Sequence, residues 1–227
     1  MILMQKQFYE LKTDIVKDFF SHDVIKVNTK DYFTLSSSLK SPIYLDHRRI
    51  FSFPGLRAKI IKAWATMLDE QMQHQHKLNL QNNTNVVFSG TATAGIAPAY
   101  ALTMHFETGF IYVRDKSKGH GLKSQIEGVI EPHNKFIVVD DMVVTGSSLL
   151  KNGHVLKELY GAESILCATT ISCHESAKMR RTFEDSSILF LPLFTTAEIF
   201  DIAHKTNVID LNTFKILMEC LENFKRL

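Results

Sequence analysis

The chain has 227 residues, which suits one α/β domain with at most a small appendage. Its 26 Lys and Arg against 24 Asp and Glu leave a formal net charge of +2, so no global basic field calls for nucleic acid. Its three cysteines, Cys167, Cys173 and Cys220, are odd in number and show no C-x-x-C spacing, which argues against a disulfide framework and for reduced thiols. No apolar run approaches the roughly 20 residues that span a bilayer, and the opening MILMQKQFYE lacks the apolar stretch of a signal peptide. The expectation is a cytoplasmic protein with no membrane or nucleic-acid partner.

Phe8, Leu11, Ile15, Phe19 and Phe20 recur at helical spacing and predict an amphipathic helix over about 5–21. Residues 24–46 read as short extended pieces broken by serines and Pro42. Pro54 can open the next helix, with Leu56, Ile60, Trp64 and Leu68 on its apolar face. Residues 71–85 are polar and read as a loop. Its His74 and His76 lack the further ligands a metal would need, so solvated side chains are expected.

From residue 86 the chain alternates. A strand at 86–88 leads through a glycine-containing turn to a helix at 94–104. A strand at 110–113 precedes a basic segment. A strand at 136–139 is followed by an acidic turn and a helix over about 147–159. Strands at 165–171 and 188–191 and helices at 199–206 and 213–224 complete the series. The alternation predicts an α/β fold with a mostly parallel sheet covered on both faces. Cys173 and His174 are adjacent on a strand, where neighbours point apart, so they form no expected nucleophile–base pair.

The strongest local signal is FIVVDDMVVTGSSLL, residues 136–150. Four apolar residues fit a strand buried on both faces, and Asp140 and Asp141 follow. In open parallel sheets ligands lie beyond the carboxyl ends of the strands. Thr145, Gly146, Ser147 and Ser148 then lead into a helix, whose first N–H groups and dipole favour an anion. Hydroxyls add donors. A ribose 5-phosphate offers hydroxyls to the acids and a phosphate to the helix, and Mg²⁺ can accompany it. An N-capped helix with solvated acids would explain one hydroxyl, but not two acids followed by T-G-S-S. The Walker pattern G-x-x-x-x-G-K-[ST] is absent.

This segment resembles the phosphoribosyl pyrophosphate (PRPP) signature of the type I phosphoribosyltransferases. The resemblance implies that Asp140 and Asp141 hold the ribose hydroxyls, that Val143, Val144, Thr145, Gly146, Ser147 and Ser148 wrap the 5-phosphate, and that Met142 belongs to the same PRPP-binding segment. Val144 departs from the hydroxyl residue usual there. A second segment, YVRDKSKGHGLKSQIEG at 112–128, is basic and glycine-flanked, and its composition fits equally a solvated surface loop or one that closes over a pyrophosphate. It resembles the catalytic loop of the orotate phosphoribosyltransferases through Arg114, Lys116, Lys118, His120, Gly121, Ile126, Glu127 and Gly128. The resemblance implies that Lys118 is the lysine that most assists pyrophosphate departure. It also implies a homodimer that shares the 114–123 loop between subunits.

A third segment, FTLSSSLKSPIYLDHRRIFSFPGLR at 33–57, is similar to that family's N-terminal hood, with Ser38 where glycine is usual. Ser36, Tyr44 and Arg48, with Val144, are the residues it offers for orotate; no distal arginine for the orotate carboxylate is found near 169–172. Gly90 to Gly95, G-T-A-T-A-G, also resembles the family. The implied organisation is one type I phosphoribosyltransferase domain: a hood mainly from 1–55, a core at about 56–210 and a C-terminal helix at 211–227. The implied reaction joins orotate to PRPP with Mg²⁺, which enters with PRPP and has no certain protein ligand. The rival readings are a phosphoribosyltransferase for another base and a non-catalytic PRPP-sensing regulator.

Overall fold

The computed structural model describes residues 2–34, 40–116 and 122–225. In chain order its elements are α1 (Ile2–Ser21), β1 (Ile25–Val27), β2 (Phe33–Thr34), β3 (Lys40–Ser41), β4 (Ile43–Leu45), α2 (Pro54–His76), β5 (Val86–Thr91), α3 (Ile96–Phe106), β6 (Gly109–Val113) and β7 (Ile126–Glu127). There follow β8 (Lys135–Val143), α4 (Ser147–Tyr160), β9 (Ile165–Cys173), α5 (Ala177–Ser186), β10 (Phe190–Thr195), α6 (Thr196–Lys205) and α7 (Leu211–Lys225). Among the described residues, no helix is long and apolar enough to cross a membrane.

The chain divides into two compact units. One comprises Met1–Ala63, His174–Ala177 and Phe194–Leu227; the other comprises Trp64–Cys173 and Lys178–Leu193. In the first, β1 pairs with β4 and β2 with β3, both antiparallel. The predicted face of α1 is real: Ile15 and Phe19 are fully buried, while Phe8, Leu11 and Phe20 are half-buried. Helix α1 packs on α6, where Lys12 Nζ lies 2.6 Å from Glu198 Oε1 and 4.4 Å from the centre of the Phe194 ring. Thr195 caps α6 by accepting from the Glu198 N–H at 3.1 Å.

The second unit is built on a six-stranded sheet in the order β10-β9-β8-β5-β6-β7. Strands β6, β5, β8 and β9 run parallel, and β7 joins antiparallel to β6. Every residue of β5 is buried, and Phe136 to Val139 of β8 are wholly inaccessible, as expected for strands covered on both faces. The chain leaves β5 for β6 on one side and β8 for β9 on the other. A crevice therefore opens between the carboxyl ends of β5 and β8, where the two connections diverge.

Four expectations change. Helix α2 runs on to His76, so 71–76 is not loop: Met72 is fully buried, and Lys77, at φ +53°, ends the helix with its N–H donating to Gln73 O at 3.2 Å. His74 and His76 thus sit on a helix end, two residues apart and on different faces. Strand β8 continues past Val139 to Val143, because β9 offers partners there: Asp140 opposite Thr170, Met142 opposite Ser172, Val143 opposite Cys173. The two acids are strand residues rather than turn residues. The last strand is displaced to Phe190–Thr195, and α5 stands where no helix is expected. Helix α5 is short, and only Met179 and Phe183 mark its buried side.

Candidate active site

The loop after β8 lines a cavity of about 210 Å³ with Asp140, Met142, Val143, Val144, Thr145, Gly146, Ser147, Ser148 and Leu149. Gly146 precedes α4 with φ +82°, a left-handed conformation that costs glycine nothing. A β-carbon there would lie 2.9 Å from Phe183 Cε2, so α5 closes the space behind the loop. Among the described residues no N-cap side chain closes α4 and no acid lies in its first turn, although the Ser147 N–H donates to Thr145 Oγ1 at 3.4 Å. The N–H groups that follow and the helix dipole favour an anion there. Thr145 Oγ1 and Ser147 Oγ lie 3.0 Å apart, both on exposed residues.

Asp140 is buried, and the Asp141 N–H donates to its Oδ1 at 2.9 Å. Burial foremost, then the charges of Asp141 and more weakly Asp115, push its carboxyl up to about 7. An acid held this way is relieved by hydroxyl donors or a cation. Val143 is buried, whereas Val144 is 46% exposed, placing an apolar side chain at the rim of the cradle.

Across the crevice, the turn after β5 is drawn tightly against the sheet. A β-carbon on Gly95 would come within 2.4 Å of Val139 O and 2.7 Å of the Thr91 nitrogen, so only glycine allows this approach. The Gly95 N–H donates to Thr91 O at 2.8 Å, and Ala92 N–H to Val113 O at 3.0 Å. Between the two walls, Ser89 Oγ donates to Asn152 Oδ1 at 2.9 Å, and Asn152 Nδ2 donates to Thr91 Oγ1 at 3.1 Å and Ser89 O at 3.4 Å.

A family model for the phosphoribosyl transferase domain matches residues 58–192, which contain this whole cradle. The chain belongs to the phosphoribosyltransferase family. Within it, similarity runs to proteins named orotate phosphoribosyltransferase. That of Lactococcus lactis subsp. lactis is 30% identical over 92% of this chain and 94% of its own. That of Staphylococcus epidermidis is 31% identical over 92% of this chain and 98% of its own. The crystal structure of orotate phosphoribosyltransferase from Aeropyrum pernix superposes with a TM-score of 0.64 at 22% identity, covering 86% of this chain and 99% of that one. The fold is thus the type I phosphoribosyltransferase α/β fold.

On this phosphoribosyltransferase frame the expected residues fall into three groups. Asp140 and Met142 to Ser148 come together around one cavity, and Asp141, between them on β8, is not among its lining residues. Arg114 stands at the foot of the basic segment, its Nη1 donating to Glu127 Oε1 at 2.9 Å, and Lys116 is exposed. Lys118 and His120 lie outside the described residues, as do Ser36 and Ser38. Tyr44 and Arg48 belong to the first unit, where Arg48 Nε donates to Asp46 Oδ1 at 2.8 Å and Tyr44 lies 6.0 Å from the Phe33 ring. Among the described residues, no group of three or more His, Cys, Asp or Glu could hold a metal ion.

Sequence reading includes Thr91 in the G-T-A-T-A-G motif without giving it a role, and does not single out Ser89, Lys151 or Asn152. A signal was present for one of them: Asn152 is polar yet falls in the buried stripe of Leu149, Val155 and Leu156. Lys151 beside it donates to Asp115 O at 2.6 Å, tying α4 to the start of the basic segment.

Proposed function

We propose that this protein transfers the 5-phosphoribosyl group from PRPP to orotate, giving orotidine 5′-monophosphate and pyrophosphate for pyrimidine synthesis in the cytoplasm. The observation that carries this reading is the buried Asp140 lining one cavity of about 210 Å³ together with residues 142–148, which lead into the N-terminus of α4. The similarity to orotate phosphoribosyltransferases over nearly the whole chain selects the acceptor.

In this reading Asp140 and Asp141 accept from the ribose hydroxyls, and residues 142–148 surround the 5-phosphate. Orotate N1 bonds to C1 of the ribose, the C1–oxygen bond breaks with inversion, and pyrophosphate leaves with the bonding pair. The N1 proton passes to solvent. Charge separation at C1 is the main difficulty, and Arg114, Lys116, Lys118 and His120 neutralise the leaving group. No covalent nucleophile is needed. The residues this reading offers for orotate are Ser36, Tyr44, Arg48 and Val144, the first three from the hood expected mainly over 1–55.

Mg²⁺ fits the donor chemistry: Asp140 and Asp141 are hard oxygen donors, too few to hold the ion without the oxygens of PRPP and water. Bound so, the ion supplies charge neutralisation at the pyrophosphate. The working species is a homodimer in which the 114–123 loop serves the neighbouring subunit's site.

Orotate consumption, followed by its ultraviolet absorbance with PRPP and with or without Mg²⁺, tests the reaction. Loss of absorbance that requires both PRPP and Mg²⁺ is the expected result. No loss, with another nucleobase consumed instead, would overturn the choice of acceptor. PRPP binding with no base consumed would make the protein a sensor.

A further inference from the structure

The two walls of the crevice are joined by one buried side chain. Asn152 is 1% exposed and its amide is nearly saturated: its oxygen accepts from Ser89 Oγ, and its nitrogen donates to Thr91 Oγ1 and Ser89 O. Ser89 and Thr91 alternate along β5 and so share the face turned to α4. Asn152 lies four residues beyond Ser148, on the same helix face as that cradle residue. Thr91 in turn is the residue whose carbonyl fixes the Gly95 turn.

This network sits among apolar groups. The neighbouring buried positions of α4 are Leu149, Val155 and Leu156, and Val87 and Val138 flank Ser89 in the sheet. A leucine in place of Asn152, with apolar partners, would bury as well, since a buried hydrogen-bonded group contributes little net stability over a matched hydrophobe. Apolar contacts are non-directional and let a helix slide or turn on the sheet. Three hydrogen bonds from one amide do not: they fix the height and rotation of α4 on β5.

We propose that Asn152 is a positioning residue for PRPP, holding the phosphate cradle at the start of α4 in fixed register with the Thr91–Gly95 turn. It touches no substrate. It sets the separation of two backbone walls that must meet one rigid ligand together, and a site displaced by a fraction of an ångström loses much of its affinity. This rests on the PRPP reading above.

The test uses the full-length protein and PRPP binding by titration calorimetry with Mg²⁺, beside steady-state kinetics. Asn152→Leu alone leaves the Ser89 and Thr91 hydroxyls unpaired and can fail to fold. The informative variant is therefore Ser89→Ala/Thr91→Val/Asn152→Leu, which removes the network whole. The expected result is an unchanged melting temperature with the Kd and KM for PRPP raised about 10-fold or more and kcat changed far less. Thr91→Ser, which keeps the hydroxyl, should retain wild-type affinity. Wild-type PRPP affinity in the triple variant would overturn the proposal while leaving the functional reading intact. Absence of PRPP binding by the wild-type protein would overturn both. Wild-type PRPP binding without orotate consumption would overturn the orotate reaction but not PRPP binding, and the triple variant's Kd would still decide the role of Asn152.

Discussion

The Asp141 N–H donates to the carboxylate of Asp140 at 2.9 Å, yet that carboxyl is still pushed up to about 7, because burial and the neighbouring acid outweigh the bond. An unfolded Asp140 ionises near 3.8. Below that pH the site costs nothing. As pH rises through 3.8 towards 7, the unfolded state loses its proton first, and folding stability falls. Asp140→Asn should therefore stabilise the ligand-free protein at pH 8 by about 1–4 kcal/mol and abolish PRPP binding. Urea unfolding at pH 5 and pH 8 measures the first. In the wild-type protein, binding should also release a proton near pH 7, seen as a buffer-dependent binding enthalpy. Equal stability of variant and parent at pH 8 would contradict the burial of a strained acid.

His47 and His174 act in the opposite sense. His47 is buried edge-on to Phe19, with ring centres 5.9 Å apart, and His174 Nδ1 lies 2.8 Å from Thr196 Oγ1. Burial lowers both from 6.5 to about 4. The unfolded imidazoles take up protons first as pH falls, so stability present above 6.5 is lost on the way down to 4. Each contributes about 1–3 kcal/mol to that loss. In an Asp140→Asn background, which removes the opposing slope, His47→Gln/His174→Gln should flatten the dependence between pH 7 and pH 5.

Gly146→Ala combines two penalties, a left-handed φ of +82° and a new carbon 2.9 Å from the Phe183 ring. A loss of about 1–3 kcal/mol of stability is expected, with PRPP affinity falling further than stability does. Adding Phe183→Leu should recover part of the stability and little of the affinity, because the backbone strain remains. Thermal unfolding and calorimetry on the two variants separate the terms.

Lys118→Ala should lower kcat by about 10²–10³ with a much smaller effect on PRPP binding. If the basic loop serves the neighbouring subunit, mixing Lys118→Ala with Asp141→Asn subunits should restore activity through dimers carrying one intact site. A mixture as inactive as its parts would refute shared sites, and near-wild-type kcat in Lys118→Ala would refute the role of the lysine.

Much of the fold is legible because buried parallel strands announce themselves: Phe136 to Val139 could belong to little else. What lies just beyond is less legible. The continuation of β8 through Asp140 and Asp141 depends on Thr170 and Ser172 of β9, some thirty residues away, and local composition at two acids argues for a turn. The end of α2 depends on Met72 finding the core, which outweighs the polar residues around it. Helix α5 has one apolar pair, Met179 and Phe183, and gains its place from packing behind Gly146. The cradle was readable because its chemistry is contiguous in the chain. Asn152, Ser89 and Thr91 were not, because three ordinary polar residues become a network only when α4 is laid on β5.

The first unit is assembled from three separated stretches, Met1–Ala63, His174–Ala177 and Phe194–Leu227. During synthesis, α1 leaves the ribosome long before Phe194, whose ring meets Phe19, and before α6, whose Glu198 pairs with Lys12. The sheet unit can close once residue 193 has emerged, while α1 must wait, its apolar stripe uncovered, for the last part of this sequence. Nascent chains stalled before residue 194 should therefore be the species that chaperones capture and that proteases cut within α1.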